Sequence, residues 1–280
     1  MIGVQSYGLR YILKSEPEKA FKILSGIGFE MLEPMLVLEE QFGAAEACFS
    51  NSDHFQHLYN LTQLFPISIG PVHVSPHIDA RMHGELIPCD RFTAHLLKLY
   101  QQFSITEFVV SSKISSTESA VFWGKYLSEA AGRLAHTPCR LLYHNHDSEM
   151  RLVPKGNAQV PLLDHFVDAS DGQILLELDI GWAGMVADEV EIAKRYAEYI
   201  YILHFKDFVP GSRGHFTCET STTECFAPSG TGEIRTADVL EMRSLFTNFS
   251  GKGIVEQNES LFDIFADLKT GYQTIKRLLT

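Results

Sequence analysis

The stretch GQILLELDIGWAGMVADEVEIAKRYAEYIYILHF, residues 172–205, decides the fold. It begins and ends with apolar runs, GQILLELDI (172–180) and YIYILHF (199–205), and a helical pattern over 188–196 separates them. Nearly continuous apolar runs are typical of parallel strands that are buried on both faces of a sheet. Two such runs joined by a helix predict one strand–helix–strand unit of a parallel sheet.

The same rhythm extends along the whole chain. Eight strand-like runs alternate with helical patterns, at 2–6, 29–33, 67–74, 107–111, 140–146, 174–180, 199–205 and 253–257. Gly70-Pro71 predicts an irregularity inside the third run, and residues 38–65 are predicted to be mostly helical. Eight such units in 280 residues favour a (β/α)8 TIM barrel over a doubly wound sheet. No linker or shift in composition divides the chain, so residues 1–280 are predicted to form a single domain.

The composition excludes several classes of protein. The 23 Lys and Arg against 35 Asp and Glu give a formal net charge of −12. Nucleic acid and an anionic membrane surface are therefore disfavoured as partners, because phosphate is bound mainly by Lys and Arg. The 19 Phe and the 45% of hydrophobic residues exclude a disordered chain. Small molecules and metal cations remain as ligands.

The cysteines and the N-terminal residues predict a cellular location. Five widely spaced Cys without a Cys-x-x-Cys pair indicate reduced thiols rather than a zinc ribbon or a redox pair. The stretch MIGVQSYGLR (1–10) has neither a basic region nor a long apolar run, so it does not read as a signal peptide. No apolar stretch approaches the ~20 residues that cross a membrane. We expect a soluble, cytoplasmic protein.

In an α/β barrel the active site lies at the carboxyl ends of the strands. Polar side chains occur at those ends in this sequence; they are Gln5, Ser6, Glu33, His73, His77, Ser111, Ser112, His144, Asn145, His146, Glu149, Glu177, Asp179, His204, Lys206, Asp207, Glu256, Gln257 and Asn258. A lone His or Glu there is usually a hydrogen-bonded structural residue. Four consecutive strands that all end in carboxylates and imidazoles, with little basic charge nearby, instead indicate a bound cation.

Five short motifs resemble those of one known family. They are YHNHDSEM (143–150), ELDIGWAG (177–184), ILHFKDF (202–208), PSGTGEI (228–234) and IVEQNES (254–260). In strand order they are similar to the sugar phosphate isomerase/epimerase family of xylose isomerase-like TIM barrels, most clearly over the last four strands. The resemblance implies a divalent-metal-dependent enzyme that acts on a hydroxy-ketone or aldose. It also implies that Asp179, His204 and Glu256 are metal ligands.

The fourth metal ligand is left open. Most members of the family end the fifth strand with Glu-Asn-His, and that Glu binds the metal, whereas this chain has His144-Asn145-His146. His144 could bind directly, Glu149 could return from the following loop, or Glu177 could reach up from ~6.6 Å deeper on its strand. A core position beside Lys or Arg suits Glu177 better, and we favour Glu149. Oxygen and imidazole ligands together suit Mn, Mg, Co, Fe or Zn as the divalent metal ion.

The residue types also predict roles in a reaction. A metal that chelates a carbonyl and its neighbouring hydroxyl acidifies the adjacent C–H and stabilises an enediolate. Glu256 is the candidate base, and His144 or His146 the group that moves a proton on the opposite face. Lys206 could hold an oxyanion or instead form an ion pair with Asp207. Trp182 is predicted to wall the substrate pocket or to pack in the core.

His73 and His77 are weaker candidates for contacts with a carbohydrate substrate. The Gly-rich turn GTGE (230–233) lacks the Lys of a phosphate-binding loop, so nucleotide binding is not expected.

The sequence supports one leading function and several alternatives. The leading one is a sugar isomerase or epimerase acting on a keto-sugar or related polyol derivative. A dehydratase of the inosose dehydratase type would use the same metal, base and acid. An apurinic endonuclease would need a cationic face for DNA, which the net charge of −12 opposes. A non-catalytic sugar-binding or subunit role is the alternative from another class. Barrels of this family often pair, so a homodimer is possible.

Overall fold

The computed structural model describes residues 1–38, 52–77 and 85–279. Its strands in that part of the chain are β1 (Ile2–Gln5), β2 (Met31–Glu33), β3 (Met35–Leu36), β4 (Ser68–Ile69), β5 (Val72–Val74), β6 (Glu107–Val110), β7 (Arg140–His144), β8 (Leu152–Lys155), β9 (Ala158–Pro161), β10 (Leu175–Asp179), β11 (Ile200–Phe205), β12 (Asp207–Phe208), β13 (Phe226–Ala227) and β14 (Lys252–Val255). Ten of them form one sheet in the order β3-β5-β6-β7-β10-β11-β14-β1-β2-β4. Every pairing in this sheet is parallel.

The sheet closes on itself between its second and third chain segments. β2 and β3 are one segment interrupted at Pro34, and β4 and β5 are one segment interrupted at Gly70-Pro71. β2 pairs with β4 and β3 pairs with β5, so the two segments lie side by side. Proline cannot donate a hydrogen bond to a neighbouring strand, which accounts for both interruptions. Eight segments therefore complete the ring, and the predicted α/β barrel and its irregular third strand are confirmed.

Helices connect successive strands, as the sequence predicts. The α-helices within the described ranges are α1 (Arg10–Ser15), α2 (Pro17–Ile27), α3 (Ser52–Leu61), α4 (Cys89–Phe103), α5 (Thr117–Leu134), α6 (Leu162–Ala169), α7 (Ile180–Val186), α8 (Glu189–Arg195), α9 (Thr236–Glu241) and α10 (Ile264–Leu279). Of the predicted helix 38–65, residues 52–61 are helical and residues 39–51 lie outside the described residues. The helices α1 and α7 and the antiparallel hairpin β8–β9 are additions that the sequence patterns did not predict.

Side chains inside the barrel form layers, and this layering positions the polar residues. Five buried apolar side chains from five strands form a separate cluster; they are Met31, Val109, Leu142, Ile202 and Ile254. Side chains alternate between the two faces of a strand, so the residue two positions further along points inward again, one layer nearer the carboxyl end. Those residues are Glu33, Ser111, His144, His204 and Glu256. The apolar layer is thus the floor on which a polar layer stands.

Two further observations concern expectations from composition. No helix in the described part of the chain is long and apolar enough to cross a membrane. The four cysteines that fall within the described residues are free thiols; they are Cys89, Cys139, Cys218 and Cys225.

Candidate active site

Four donor side chains converge at the carboxyl ends of the strands. We call His144, Asp179, His204 and Glu256 the upper group; all four are buried, and one nitrogen or oxygen atom of each lies within 4.8 Å of those of the others. His204 Nδ1 lies 3.0 Å from Glu256 Oε2 and 3.7 Å from Asp179 Oδ2. His144 Nε2 lies 3.7 Å from the same Asp179 oxygen. The structure therefore brings together the three ligands that the resemblance implied, with His144 as their neighbour.

The local structure around Asp179 leaves one carboxylate oxygen for the site. Asp179 caps α7, because its Oδ1 accepts the backbone N–H of Trp182 at 2.8 Å. The side chain of Asn145 binds both the backbone N–H and the carbonyl of Asp179, at 3.0 and 3.1 Å. Gly181 permits this tight turn, since a Cβ there would lie 2.6 Å from the carbonyl oxygen of Lys206. Oδ2 is consequently held toward the upper group.

A second set of ionisable side chains adjoins the first. We call Glu33, His73 and Glu177 the deep group; all three are buried. His73 Nε2 lies 2.7 Å from Glu33 Oε1 and 3.0 Å from Glu177 Oε1. His144 Nδ1 lies 2.9 Å from that Glu177 oxygen. Glu177, expected in the core beside Lys or Arg, is in fact surrounded by imidazoles.

The two groups shift each other's pKa values. Burial alone would lower the pKa of His73, but the carboxylates of Glu33 and Glu177 outweigh it and raise that pKa to about 9. Burial opposes ionisation of Glu177 as well, yet the imidazoles of His204, His144 and His73 hold its pKa below the usual range. His73 is thus an imidazolium at neutral pH and Glu177 a carboxylate. Burial lowers the pKa of His144, which keeps that ring neutral.

Lys206 belongs to the upper group rather than to its neighbour in sequence. Its Nζ lies 3.0 Å from Glu256 Oε2 and 3.4 Å from Asp179 Oδ2, and it stands 4.7 Å from the centre of the Trp182 ring. Burial opposes the ionised form of Glu256, but Lys206 and His204 together hold the pKa of that carboxyl well below its usual range. Glu256 is therefore ionised at neutral pH.

Asp207 has a structural task. Its carboxylate accepts the backbone N–H groups of Phe208, Gly232 and Ile234 at 2.8, 2.8 and 3.0 Å. A Cβ at Gly232 would lie 2.0 Å from the carbonyl oxygen of Phe208. The Gly-rich turn at 230–233 is thus packed against Asp207, which anchors the long loop after β11. Lys206 pairs with Asp179 and Glu256 instead of forming the ion pair with Asp207.

A cavity of about 300 Å³ opens above the upper group. His73, His144, His146, Trp182, Lys206 and Glu256 line it, together with Gln5, Tyr7, Ser111 and His77 among others. The ring of His77 also packs edge-on against Trp123. Trp182 is buried between Lys206 and the rings of Phe208 and Phe226, and its Nε1 has no hydrogen-bond partner. Trp182 is therefore both core and pocket wall, the two roles weighed for it from the sequence.

His146 faces the cavity and remains partly exposed. Its ring lies 5.3 Å from that of His144 and 6.5 Å from that of Trp182, measured between ring centres. Burial of most of the ring, with the positive charge of Lys206 nearby, lowers the pKa of His146 to about 3. The ring is therefore uncharged at neutral pH and is a weak base there.

Glu149 is not brought together with the upper group. Its carboxylate accepts hydrogen bonds from the hydroxyl groups of Tyr143 and Ser148 at 2.6 and 2.8 Å, and from the backbone N–H of His146 at 3.3 Å. Burial raises the pKa of Glu149 to about 7. Both its oxygens are thus engaged within the loop that follows β7.

Three contributors to the site escaped sequence reasoning. The sequence identifies Glu33 and Asn145 only as polar residues at strand ends, and Glu177 as a less favoured metal ligand that suits a core position beside Lys or Arg better. The signal that could have found Glu33 is the two-residue alternation, since it follows the inward-facing Met31. The partnership of Asn145 with Asp179 has no such signal, because it joins two different strands.

The upper group fits a divalent cation. Metal–ligand bonds of ~2.0–2.2 Å place neighbouring atoms of a tetrahedral site ~3.3–3.6 Å apart, close to the 3.0–3.7 Å found here. Asp179 Oδ2 and His204 Nδ1 are buried and make no hydrogen bond, although Lys206 Nζ and Glu256 Oε2 lie 3.4 and 3.0 Å from them. Buried polar atoms without a hydrogen bond are costly, and a shared cation would satisfy both.

No protein-family model and no curated protein matches this sequence. Solved structures match it along nearly its full length. A sugar phosphate isomerase/epimerase from Parabacteroides distasonis is 16% identical, with a TM-score of 0.71 over 100% of this chain and 95% of that one. The probable 3-DHS dehydratase AsbF from Bacillus anthracis is 14% identical, with a TM-score of 0.68 over 98% of each chain. The IolI protein with a bound zinc atom is 12% identical, with a TM-score of 0.65 over 99% of this chain and 97% of that one.

Such low identities show a shared fold and nothing finer. The predicted architecture, a xylose isomerase-like TIM barrel, is confirmed by these neighbours. Sugar phosphate isomerase/epimerase and xylose isomerase domain proteins are among these neighbours, and the five sequence motifs resemble that family.

Proposed function

We propose that this protein is a divalent-metal-dependent isomerase or epimerase of a keto-sugar or related polyol. The single observation that supports it most is the upper group, in which four buried donors from four consecutive barrel strands meet beneath a cavity. The solved structure of a sugar phosphate isomerase/epimerase with the same fold supports the substrate class.

The charge balance supports the metal. The carboxylates of the two groups are those of Glu33, Glu177, Asp179 and Glu256, all of them buried. Three buried cations face them without metal: the ammonium of Lys206 and the imidazolium groups of His73 and His204, since carboxylates outweigh burial and raise the pKa of both rings. A divalent ion that replaces the His204 proton would balance the four carboxylates together with Lys206 and His73. The ligands would be Asp179, His204 and Glu256, with His144 in the fourth position in place of Glu149.

The metal ion, when bound, would polarise a substrate carbonyl and its neighbouring hydroxyl. The side chains of this chain then move the proton. Glu256 is ionised, at the cavity wall, and accepts the proton from the carbon next to the carbonyl. Its lowered pKa makes it a weak base, so the substrate C–H must be acidified for the transfer to proceed.

His146 is the second proton-carrying group of this proposal. It lines the cavity and is partly exposed, whereas both nitrogens of His144 face carboxylates. His146 is therefore better suited to carry a proton to or from substrate, and His144 to bind the metal. Lys206 donates to the oxyanion that develops on the substrate, since its ammonium is held at the cavity wall. Trp182 limits the cavity to a small molecule.

A dehydratase is the second candidate. A substrate with a leaving group one carbon further along would eliminate water from the same enediolate, and the probable 3-DHS dehydratase shares this fold. The nature of the metal also stays a proposal. The mixture of nitrogen and oxygen donors suits zinc, as bound in the IolI structure, and equally Mn, Mg, Co or Fe.

Four expectations from the sequence remain predictions. They are the single domain over 1–280, the cytoplasmic location, the homodimer, and the lack of nucleic acid as a partner. The apurinic endonuclease and the non-catalytic sugar-binding role remain alternatives to the proposed enzyme.

The decisive experiment follows solvent deuterium. The metal-loaded protein is incubated in deuterated water with a panel of keto-sugars and related polyols, and products are followed by NMR. Deuterium uptake without loss of water supports the isomerase or epimerase, and loss of water supports the dehydratase. Absence of both reactions across the panel, or unchanged activity in Asp179→Ala and Glu256→Ala, would refute the proposal.

A further inference from the structure

We propose that the two carboxylates of the deep group are positioning residues for the imidazoles above them. Glu177 orients His144, and Glu33 with Glu177 orients His204. The inference rests on the proposed function in one respect only, that the upper group binds a divalent metal ion. It concerns two side chains that contact the proposed imidazole ligands and are not among the residues lining the cavity.

His144 uses its two ring nitrogens in opposite directions. Nε2 faces Asp179 in the upper group at 3.7 Å, and Nδ1 lies 2.9 Å from Glu177 Oε1. A metal held by Nε2 leaves the proton on Nδ1, where it is donated to Glu177. A carboxylate behind an imidazole in this way fixes the tautomer, restrains rotation of the ring and makes the ligand more basic.

His204 repeats the arrangement from the neighbouring strand. Nδ1 lies 3.0 Å from Glu256 in the upper group, whereas Nε2 lies 3.3 Å from Glu33 Oε1 and 3.6 Å from Glu177 Oε1. Both imidazoles of the upper group therefore have carboxylates on the side away from the cavity. Neither ring can turn without losing such a contact.

His73 keeps the deep carboxylates in place. A single nitrogen, Nε2, reaches Glu33 Oε1 at 2.7 Å and Glu177 Oε1 at 3.0 Å. The His73 ring also packs edge-on against the His144 ring, with centres 5.1 Å apart. The apolar layer that includes Met31 and Ile202 closes the space two residues below on the same strands. Glu33 and Glu177 are thus enclosed in the interior, and His73 separates them from the cavity that it lines.

A second metal ion in the deep group is the alternative arrangement. The three shortest distances to its carboxylates, 2.7, 2.9 and 3.0 Å, are hydrogen-bond lengths. Metals at both levels would also require His144 and His204 to lose their remaining ring protons and bridge two ions. One divalent ion above and protons below balance the buried charges without that step.

Cobalt(II) binding tests the inference without any substrate. Affinity and visible spectrum are measured for the wild type and for Glu177→Gln, Glu33→Gln and Glu107→Gln. Glu107 is the matched control, because it is also a buried carboxylate of the barrel and is paired with Lys252. It lies two residues before Val109 of the apolar layer, and therefore on the other side of that layer from the candidate site. The metal-to-chain ratio is measured by elemental analysis, and folding by circular dichroism.

We expect one Co²⁺ per wild-type chain. Glu177→Gln should weaken binding about 10- to 100-fold and shift the visible spectrum, Glu33→Gln should weaken it about tenfold, and Glu107→Gln should leave both unchanged. Affinity within twofold of the wild type in a folded Glu177→Gln protein would overturn the inference. If that variant does not fold, the same criterion applies to Glu33→Gln.

Three other results discriminate between the proposals. A second Co²⁺ that Glu177→Gln removes would overturn the inference in favour of a metal in the deep group. A wild type that binds no Co²⁺ would overturn both the inference and the metal-dependent function. Weakened binding in Glu177→Gln, combined with no reaction on any sugar, would support the inference and refute only the proposed reaction.

Discussion

Asp179→Asn separates the two tasks of Asp179. Oδ1 caps α7 by accepting the Trp182 N–H at 2.8 Å, and Oδ2 lies 3.7 Å from the nearest nitrogens of both His144 and His204. Asparagine retains an oxygen for the cap. It places an NH2 group where a metal ligand is needed, beside the ammonium of Lys206. We therefore expect Asp179→Asn to retain the cap of α7 and to lose metal binding.

The magnitude follows from linkage. At a metal concentration a hundred times the dissociation constant, binding stabilises the folded wild type by about 2.7 kcal/mol. A chain of 280 residues has an unfolding entropy of about 0.6 kcal/mol/K, so the melting temperature should rise by about 5 °C. Asp179→Asn should show no rise. Without metal, its free energy of unfolding should lie within about 1 kcal/mol of that of the wild type. The weaker repulsion among the carboxylates offsets the lost attraction to Lys206.

Thermal unfolding followed by circular dichroism, with Zn²⁺ or Mn²⁺ and with a chelator, measures these effects. Asp179→Ala is the control for the cap and should lose about 1 kcal/mol more than Asp179→Asn in the chelator. A metal-induced rise of the wild-type size in Asp179→Asn would refute the assignment of Oδ2 as a ligand. Equal stability of the two variants in the chelator would refute the capping role.

Three further outcomes are expected. The pKa of Glu149 is raised to about 7, so the folded state retains a proton that the unfolded state releases near 4.5. The free energy of unfolding therefore falls by up to about 3 kcal/mol as the pH rises from 4.5 to 7. In urea titrations Glu149→Gln should not show this fall, and the variant should still bind metal. In urea titrations, Gly232→Ala should lower the free energy of unfolding by more than about 2 kcal/mol. Gly26→Ala lies in α2, where an added Cβ would meet nothing within 4 Å, and should raise it by about 0.5–1 kcal/mol. Lys206→Met should slow deuterium exchange about 10²- to 10³-fold without unfolding the protein, and an unchanged rate would refute its role as oxyanion donor.

The strands were predictable because their signal is local. In β10 and β11 most residues are apolar, and all but one in each strand are buried, as a parallel strand covered by helices requires. The carboxyl ends of those strands meet at one rim in any closed barrel, so Asp179, His204 and Glu256 could be expected together. Glycine and proline also act locally, and Gly70-Pro71 does interrupt the third strand.

The helix α7 was not predictable, because no local pattern marks where it begins. The helix α7 has seven residues and begins directly after β10, so its apolar sequence continues that of the strand. Its start depends on the Asp179 cap and on the close approach that Gly181 allows, neither of which has a periodic pattern. The orientation of Glu149 depends on a hydroxyl six residues away, that of Tyr143.

The sequence by itself determined the eight-fold alternation and the residue types at the rim, because side-chain period and burial are properties of neighbouring residues. Only the tertiary structure decided which atoms meet. Glu33 and His204 are 171 positions apart in the chain yet 3.3 Å apart in the barrel, and Glu177 meets His73 across 104 positions. Barrel closure sets these distances, since the pairing of distant strands fixes which inward-facing residues share a level. The two-sided use of His144 and His204, on which the proposed metal site depends, is therefore a property of the folded barrel.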